Sequence, residues 1–165
     1  MDINTFNSQF AERMNNLKEF VEGEKIKKIM GNEAINHFQE SFVNEGFTDK
    51  EVEKWEDVKR RNPDSEWYGH LGPCRKFSEA RTTAKILTGD TENLQSSFSF
   101  KPTPNGVLIQ NSAPYAAVHQ FGLSAKIYGK KAFQMIARPF MGKSMVLKEK
   151  IENKILDEII KIIKS

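Results

Sequence analysis

The chain has 165 residues, 38% of them hydrophobic and 28% charged, a net charge of +3 and a single cysteine. A bilayer-crossing helix needs about 20 apolar residues, and the greasiest stretch, Ile159-Ile160-Lys161-Ile162-Ile163, is broken by a charge; the composition is that of neither a membrane protein nor a disordered tail. Length favours one domain with one core, Met1-Asp2-Ile3-Asn4 lacks the basic-then-apolar pattern of a secretory signal, and a lone Cys74 allows no internal disulfide or multi-cysteine metal site, so the chain reads as soluble and intracellular.

In chain order, Ile3, Phe6, Phe10, Met14, Leu17 and Val21 recur at steps of three and four and lay one stripe along a helix, with Asp2 as its N-cap. After Gly23, the residues Ile26, Met30, Phe38 and Phe42 continue a helical pattern until Gly46. Thr48-Asp49-Lys50-Glu51 fits a capping box and predicts a short helix through Val52 and Trp55, ended by Asn62-Pro63. Trp67 to Pro73 reads as loop, and Phe77, Ala80 or Arg81, Ala84 and Leu87 suggest another helix.

From Leu94 the period changes. Leu94, Ser96, Phe98 and Phe100 alternate as in a strand; Pro102-Thr103-Pro104-Asn105-Gly106 is turn chemistry, and Val107 to Asn111 is a second strand, which predicts a hairpin with a connection of about five residues. Pro114 and Gly122 bracket a two-turn helix over Tyr115 to Phe121, with proline at the first helical position and glycine just past the end. Residues 123–137 read as a basic loop containing Lys126, Lys130 and Lys131, and Arg138 to Gly142 as extended. From about Ser144 an amphipathic helix puts Leu147, Ile151, Ile155, Ile159 and Ile162 on one face. The expected fold class is α+β, a small antiparallel β-sheet with a hairpin, flanked by N-terminal helices and a C-terminal amphipathic helix. The expected organisation is a single domain over 1–165, made of N-terminal helices (1–46), a helix and loop insertion (47–85), a hairpin and motif core (86–142) and the C-terminal helix (143–165).

Charge is unevenly spread. Residues 1–60 hold nine Lys/Arg against thirteen Asp/Glu, and residues 121–165 hold ten against four. The two ends are either complementary faces that stack head to tail in an oligomer or two solvated helical faces. The balance is too mild for a dedicated nucleic-acid binder. In the C-terminal helix, Glu149, Glu152, Asp157 and Glu158 dilute Lys148, Lys150, Lys154, Lys161 and Lys164, so packing on the sheet is expected over lying on a membrane.

No enzyme chemistry emerges. His37, His70 and His119 have no H-E-x-x-H, Cys-x-x-Cys or clustered Asp around them, so no metal is expected. Neither a G-x-S-x-G elbow nor a phosphate-cradling loop is present. Cys74 beside Arg75 and Lys76 reads as an inert thiol, and Glu51, Glu53 and Glu56 as a wet helix face. The expectation is no catalytic residue and no cofactor.

The informative segment is Asn111 to Gly142. It contains Tyr115-Ala116-Ala117-Val118-His119-Gln120-Phe121-Gly122, then the basic loop, then Ala137-Arg138-Pro139-Phe140-Met141-Gly142. These two blocks, in this order, resemble the phage virion morphogenesis family, the tail-completion or tail-terminator proteins of Mu-like phages and prophages. The hallmark there is Tyr-Ala-x-x-His-Gln-x-Gly followed by Ala-Arg-Pro-Phe-(aliphatic)-Gly. Ile86-Leu87, Asp90-Thr91 and Leu94-x-x-Ser97-Phe98 resemble the run upstream of the family's hairpin, and Trp55 with Lys59, Arg60 and Arg61 its tryptophan and basic residues. Glu92 departs from the pattern, standing where the family usually has glycine, and 64–75 is a longer, unfamiliar stretch. The resemblance spans 26–160, with 111–142 its specific part.

Read as residues, Tyr115, Val118 and Phe121 are expected to anchor the short helix to the sheet, and Phe140 to be core. His119 and Gln120 either clamp backbone within the subunit or contact a neighbour. Arg138 is expected to make a bidentate pair with an acidic group, inside the fold or across an interface. What the resemblance implies is structural work late in virion assembly, capping the finished tail and joining it to the head. It implies a homo-oligomer, a hexameric ring matching the tail, partnered by phage tail tube or head–tail connector proteins. It also implies no membrane, no specific nucleic acid, and a location in host cytoplasm and then the virion, at tail or neck. Tyr115, His119, Gln120, Gly122, Arg138, Pro139, Phe140 and Gly142 are the motif or interface residues, and loop 123–137 a basic arm that orders on meeting a partner. The rival readings are a head-side connector adaptor and, behind it, a nucleic-acid-binding protein.

Overall fold

The computed structural model describes residues 2–70, 76–88, 92–126 and 132–164. Helix α1 (Ile3–Glu22) starts where the Asp2 carboxylate accepts the Asn4 N–H at 3.0 Å, satisfying an N–H that the helix leaves unpaired. It stops at Gly23, and α2 (Lys25–Asn44) follows. Helix α2 is the spine of the fold, burying Ala34, His37, Phe38, Ser41 and Phe42. Gly31 allows a strand to cross it closely, because a Cβ there would stand 2.4 Å from the Phe100 ring.

The helix expected after Thr48 does not form. Strands β1 (Gly46–Thr48) and β2 (Val52–Lys54) pair antiparallel instead. A residue inside the apparent capping box caps a helix nearly a hundred residues away: Asp49 Oδ1 accepts the Met145 N–H at 2.7 Å, and its carbonyl accepts the Val146 N–H and the Ser144 hydroxyl. Tertiary contacts have overridden a local signal. Lys59–Arg61 makes one 3₁₀ turn, α3 is limited to Glu79–Thr83, and Leu94 lies in a helical turn, α4 (Asn93–Ser96), not in a strand.

Strands β3 (Phe98–Thr103) and β4 (Gly106–Asn111) form the expected hairpin with a tighter connection, since Pro102 pairs with Val107 and Thr103 with Gly106. Proline is tolerated there because each strand of a two-stranded ribbon is an edge. Helix α5 (Ala116–Phe121) has Tyr115 at its N-cap, so Pro114 precedes the helix and does not open it; Gly122 closes it at φ 64°. In 123–137 a hairpin replaces the expected loop: β5 (Ser124–Lys126) pairs with β6 (Ala132–Gln134). Lys126 ends β5, whereas Lys130 and Lys131 lie outside the described residues. The class is α+β, but among the described residues the strands make three separate two-stranded ribbons, not one sheet.

Helix α6 (Met145–Lys164) lies along α2 and touches α1. Its seam with α2 carries ion pairs Lys150–Glu40 at 3.0 Å, Lys154–Glu33 at 2.7 Å and Lys25–Glu158 at 2.6 Å. The acidic and basic ends of the chain thus meet within one subunit. Exposed pairs contribute only about 0–1 kcal/mol each, so their effect is on register; the apolar face decides the packing. Leu147 and Ile151 join Ala34, Phe38 and Phe47 in one core cluster. A second holds Phe42, Trp55, Ile86, Leu94, Ala113, Ala116 and Phe140, and Phe98 and Met141 pack against both. No described helix is long and apolar enough to cross a membrane.

Candidate functional site

The two motif blocks meet. The extended segment Arg138 to Met141 runs between α5, Trp55 and the C-terminal half of α2 and joins no strand ladder among the described residues. An extended backbone buried this way must find partners for its N–H and C=O groups, and side chains supply them. Gln120 acts like a short piece of strand: its Oε1 accepts the N–H groups of Phe140 at 3.0 Å and Met141 at 3.2 Å, and its Nε2 donates to the Met141 carbonyl at 2.7 Å. Trp55 Nε1 donates to the Pro139 carbonyl at 2.7 Å and the Ser41 hydroxyl to that of Phe140 at 3.3 Å. The Arg138 N–H reaches the His119 carbonyl at 2.7 Å.

Phe140, 1% exposed, fills the space beneath this bracing. Its ring lies 5.4 Å from Phe42 and 5.9 Å edge-on from Phe98, while Trp55 stands edge-on to Phe42 at 5.7 Å, within the favourable range for aromatic pairs. Arg138 is buried, but its bidentate acceptor is the Glu56 carbonyl, at 3.0 and 3.3 Å, and not an acidic side chain. Burial pulls its guanidinium below its ordinary pKa, against the opposing pull of the Glu56 and Asp57 carboxylates.

Helix α5 is held differently from expectation. Ala116 is its buried residue, while Tyr115 and Phe121 are exposed, Phe121 by 68%; a helix this close to the 138–141 backbone has room for alanine but not for large anchors. The Tyr115 hydroxyl accepts from Asn93 Nδ2 at 3.0 Å, and its ring meets His119 edge-on at 5.9 Å. Burial, and then the charge of Arg138, lower the His119 pKa, and its buried Nδ1 has no hydrogen-bond partner among the described residues. The ring therefore packs as a neutral side chain; the backbone clamp is the work of Gln120 and of the His119 carbonyl. Gly122 is required twice over: its φ is 64°, and a Cβ would stand 2.8 Å from the Ala137 nitrogen. Gly142 makes no such demand, since a Cβ there meets Phe47 at an ordinary 3.5 Å. An apolar groove of about 420 Å³ opens beside the clamp, lined in part by Ala117, Gln120, Phe121 and Gly142.

Further members of this hub escape sequence reasoning. Ser41 is a polar residue in the apolar stripe of α2, the one local sign of its role. Glu45, left-handed at φ 51°, takes a fork from Arg61 and accepts the Ile86 N–H at 2.7 Å. Arg60 and Arg61 both donate to the Ala84 carbonyl. The basic run after Trp55 is thus a set of staples holding Ala84 to Ile86 against the end of α2. Among the described residues no group of three or more His, Cys, Asp and Glu side chains is placed to hold a metal ion.

The model of the phage virion morphogenesis family matches residues 58–160, which include both motif blocks and leave α1, α2 and Trp55 outside. No curated protein and no solved structure matches the chain. The departure at Glu92 has a structural reading, because this residue sits at φ 48°, in the left-handed region that costs a side-chain-bearing residue roughly 1–2 kcal/mol and glycine little. Glu92→Gly is expected to stabilise the chain by about 0.5–1 kcal/mol after glycine's extra unfolded-state entropy, measured as a rise of the urea midpoint at constant m-value; an unchanged or lower midpoint would count against it.

Proposed function

This chain belongs to the phage virion morphogenesis family, and on that premise we propose that it is a structural assembly protein that completes the phage tail and acts at head–tail joining as a ring of identical subunits. The observation that carries the reading is the use made of the motif. Gln120, Trp55, Ser41 and Arg138 are all engaged in holding the backbone of their own subunit, as expected of a part selected to keep its shape. The side chains left outward beside it are apolar or basic: Phe121, Leu123, Phe133 and Ile136 are exposed, and Lys126 ends β5. That surface suits contact with a neighbouring subunit or tail protein, and the segment 123–137, whose sequence carries Lys126, Lys130 and Lys131, is the arm that engages the partner.

Deleting the gene from its phage or inducible prophage and imaging the lysate by electron microscopy tests the proposal. Full heads beside detached or wrongly long tails are expected. Tails of normal length beside unsealed heads would move the protein to a head-side adaptor, and normal infectious particles would overturn an assembly role. Complementation with Lys126→Glu, Lys130→Glu and Lys131→Glu together is expected to leave the fold intact and abolish joining; an unchanged infectious yield would remove the arm from the proposal.

A further inference from the structure

Helix α1 carries a surface that no described part of the chain covers. Ile3, Phe6, Phe10, Met14 and Val21 form one stripe, each between 48% and 73% exposed. The helix is anchored along its other side, where Gln9, Arg13 and Leu17 are half-buried and Phe20 is buried with the Lys25 ammonium 5.5 Å from its ring. Helix α6, which packs against α1, adds exposed Leu156, Ile160 and Ile163. At about 200 Å² for a large side chain, the middle of the range for aromatics, the five residues of α1 expose on the order of 550 Å² and the three of α6 about 300 Å². The α1 stripe alone reaches the upper end of the roughly 300–600 Å² of the largest patch on a typical monomer, and the two helices together expose about one partner's share of a standard interface.

We propose that this face pairs with the same face of a second copy of the chain, α1 against α1, in a two-fold contact. An isologous contact requires a patch that fits itself, and a row of interlocking Phe, Ile and Met side chains at helical spacing is of that kind. The side chains beside Phe6 and Phe10 at steps of three and four are Asp2, Asn7, Gln9 and Arg13; an antiparallel crossing centred between the two phenylalanines sets Arg13 of one copy toward Asp2 and Ile3 of the other, so like charges do not meet. Helix α1 carries Glu12, Glu19 and Glu22 against Arg13 and Lys18, the opposite of the basic polar face that a membrane surface favours. Helix α1 also lies outside the segment that matches the family, 58–160; a partner bearing the same sequence is the one that shares this feature. The pairing uses a different surface from the motif hub and does not depend on the chain's place in the virion.

Sedimentation velocity of the full chain over a range of micromolar concentrations tests it. The wild type is expected to associate to at least twice its 18.9 kDa mass. Phe6→Glu with Phe10→Glu is expected to sediment at half the wild-type mass with an unchanged far-UV circular dichroism spectrum, since both side chains are more than half exposed. Ser8→Glu with Asn15→Glu, which adds the same charge on the opposite side of α1, is expected to associate like the wild type. A wild type that stays monomeric, a mass unchanged by the Phe6 and Phe10 changes, or equal loss in the control would each overturn the pairing. Failure of the tail role in particle assembly would leave these results standing.

Discussion

Phe140→Ala is expected to cost about 3–5 kcal/mol, the range for emptying a buried aromatic site. The loss has two parts. The ring is 1% exposed and packs on Phe42 and Phe98, so its transfer energy and its aromatic contacts go together. The cavity cannot collapse easily, because the backbone on either side is held by Trp55, Ser41 and Gln120. At roughly 2–4 °C per kcal/mol for a chain of this size, the thermal midpoint should fall by about 6–20 °C. Phe121→Ala is the internal comparison: it removes the same ring one helix away, from a site 68% exposed, and should change stability by less than about 0.5 kcal/mol. Equal costs at the two positions would mean that the 138–141 segment is not the centre of the core.

The contrast between those two phenylalanines marks where the sequence is legible. Periodicity places α1, α2, the β3–β4 hairpin and α6, because each has a long apolar pattern that local geometry alone produces. It also assigns Phe140 to the core. It does not distinguish Phe121 and Tyr115, at regular steps on α5, from anchors, since a step of three puts residues on one face without saying which face is covered. The same limit hides the exposed stripe of α1, whose pattern is as regular as that of a buried helix. The short elements fail for another reason. Thr48 to Glu51 has the chemistry of a helix start, yet Asp49 is drawn away to cap α6 and the segment becomes a hairpin turn. Likewise the basic run at Lys59 to Arg61 looks like a surface patch until Glu45 and the Ala84 carbonyl come to meet it. These partners are far apart in the chain, and no window of local sequence contains both.

Gln120 offers the sharpest test of the site, because three substitutions divide its three hydrogen bonds. Gln120→Leu keeps the bulk and leaves the Phe140 and Met141 N–H groups and the Met141 carbonyl without partners. At about 1–3 kcal/mol for each buried unsatisfied group, and with water reaching some of them through the adjoining groove, a loss of about 3 kcal/mol is expected in urea unfolding. Gln120→Ala should cost slightly less, since the space it opens admits water to the same groups. Gln120→Glu separates acceptor from donor. It keeps an oxygen for the two N–H groups but, when ionised, sets a carboxylate against the Met141 carbonyl that Nε2 now reaches at 2.7 Å. Protonation restores the missing donor, so the folded-state pKa of the new carboxyl should lie above its unfolded value of about 4.3. Stability held by the protonated form is then fully present below that unfolded value and is lost as pH rises through the folded one. The gap between Gln120→Glu and wild type should therefore narrow as pH falls from 7 toward 4, while that of Gln120→Leu stays constant. A gap for the glutamate variant that does not move with pH would mean that Gln120 does not donate to Met141, and that the motif's glutamine is kept for what it meets outside the subunit.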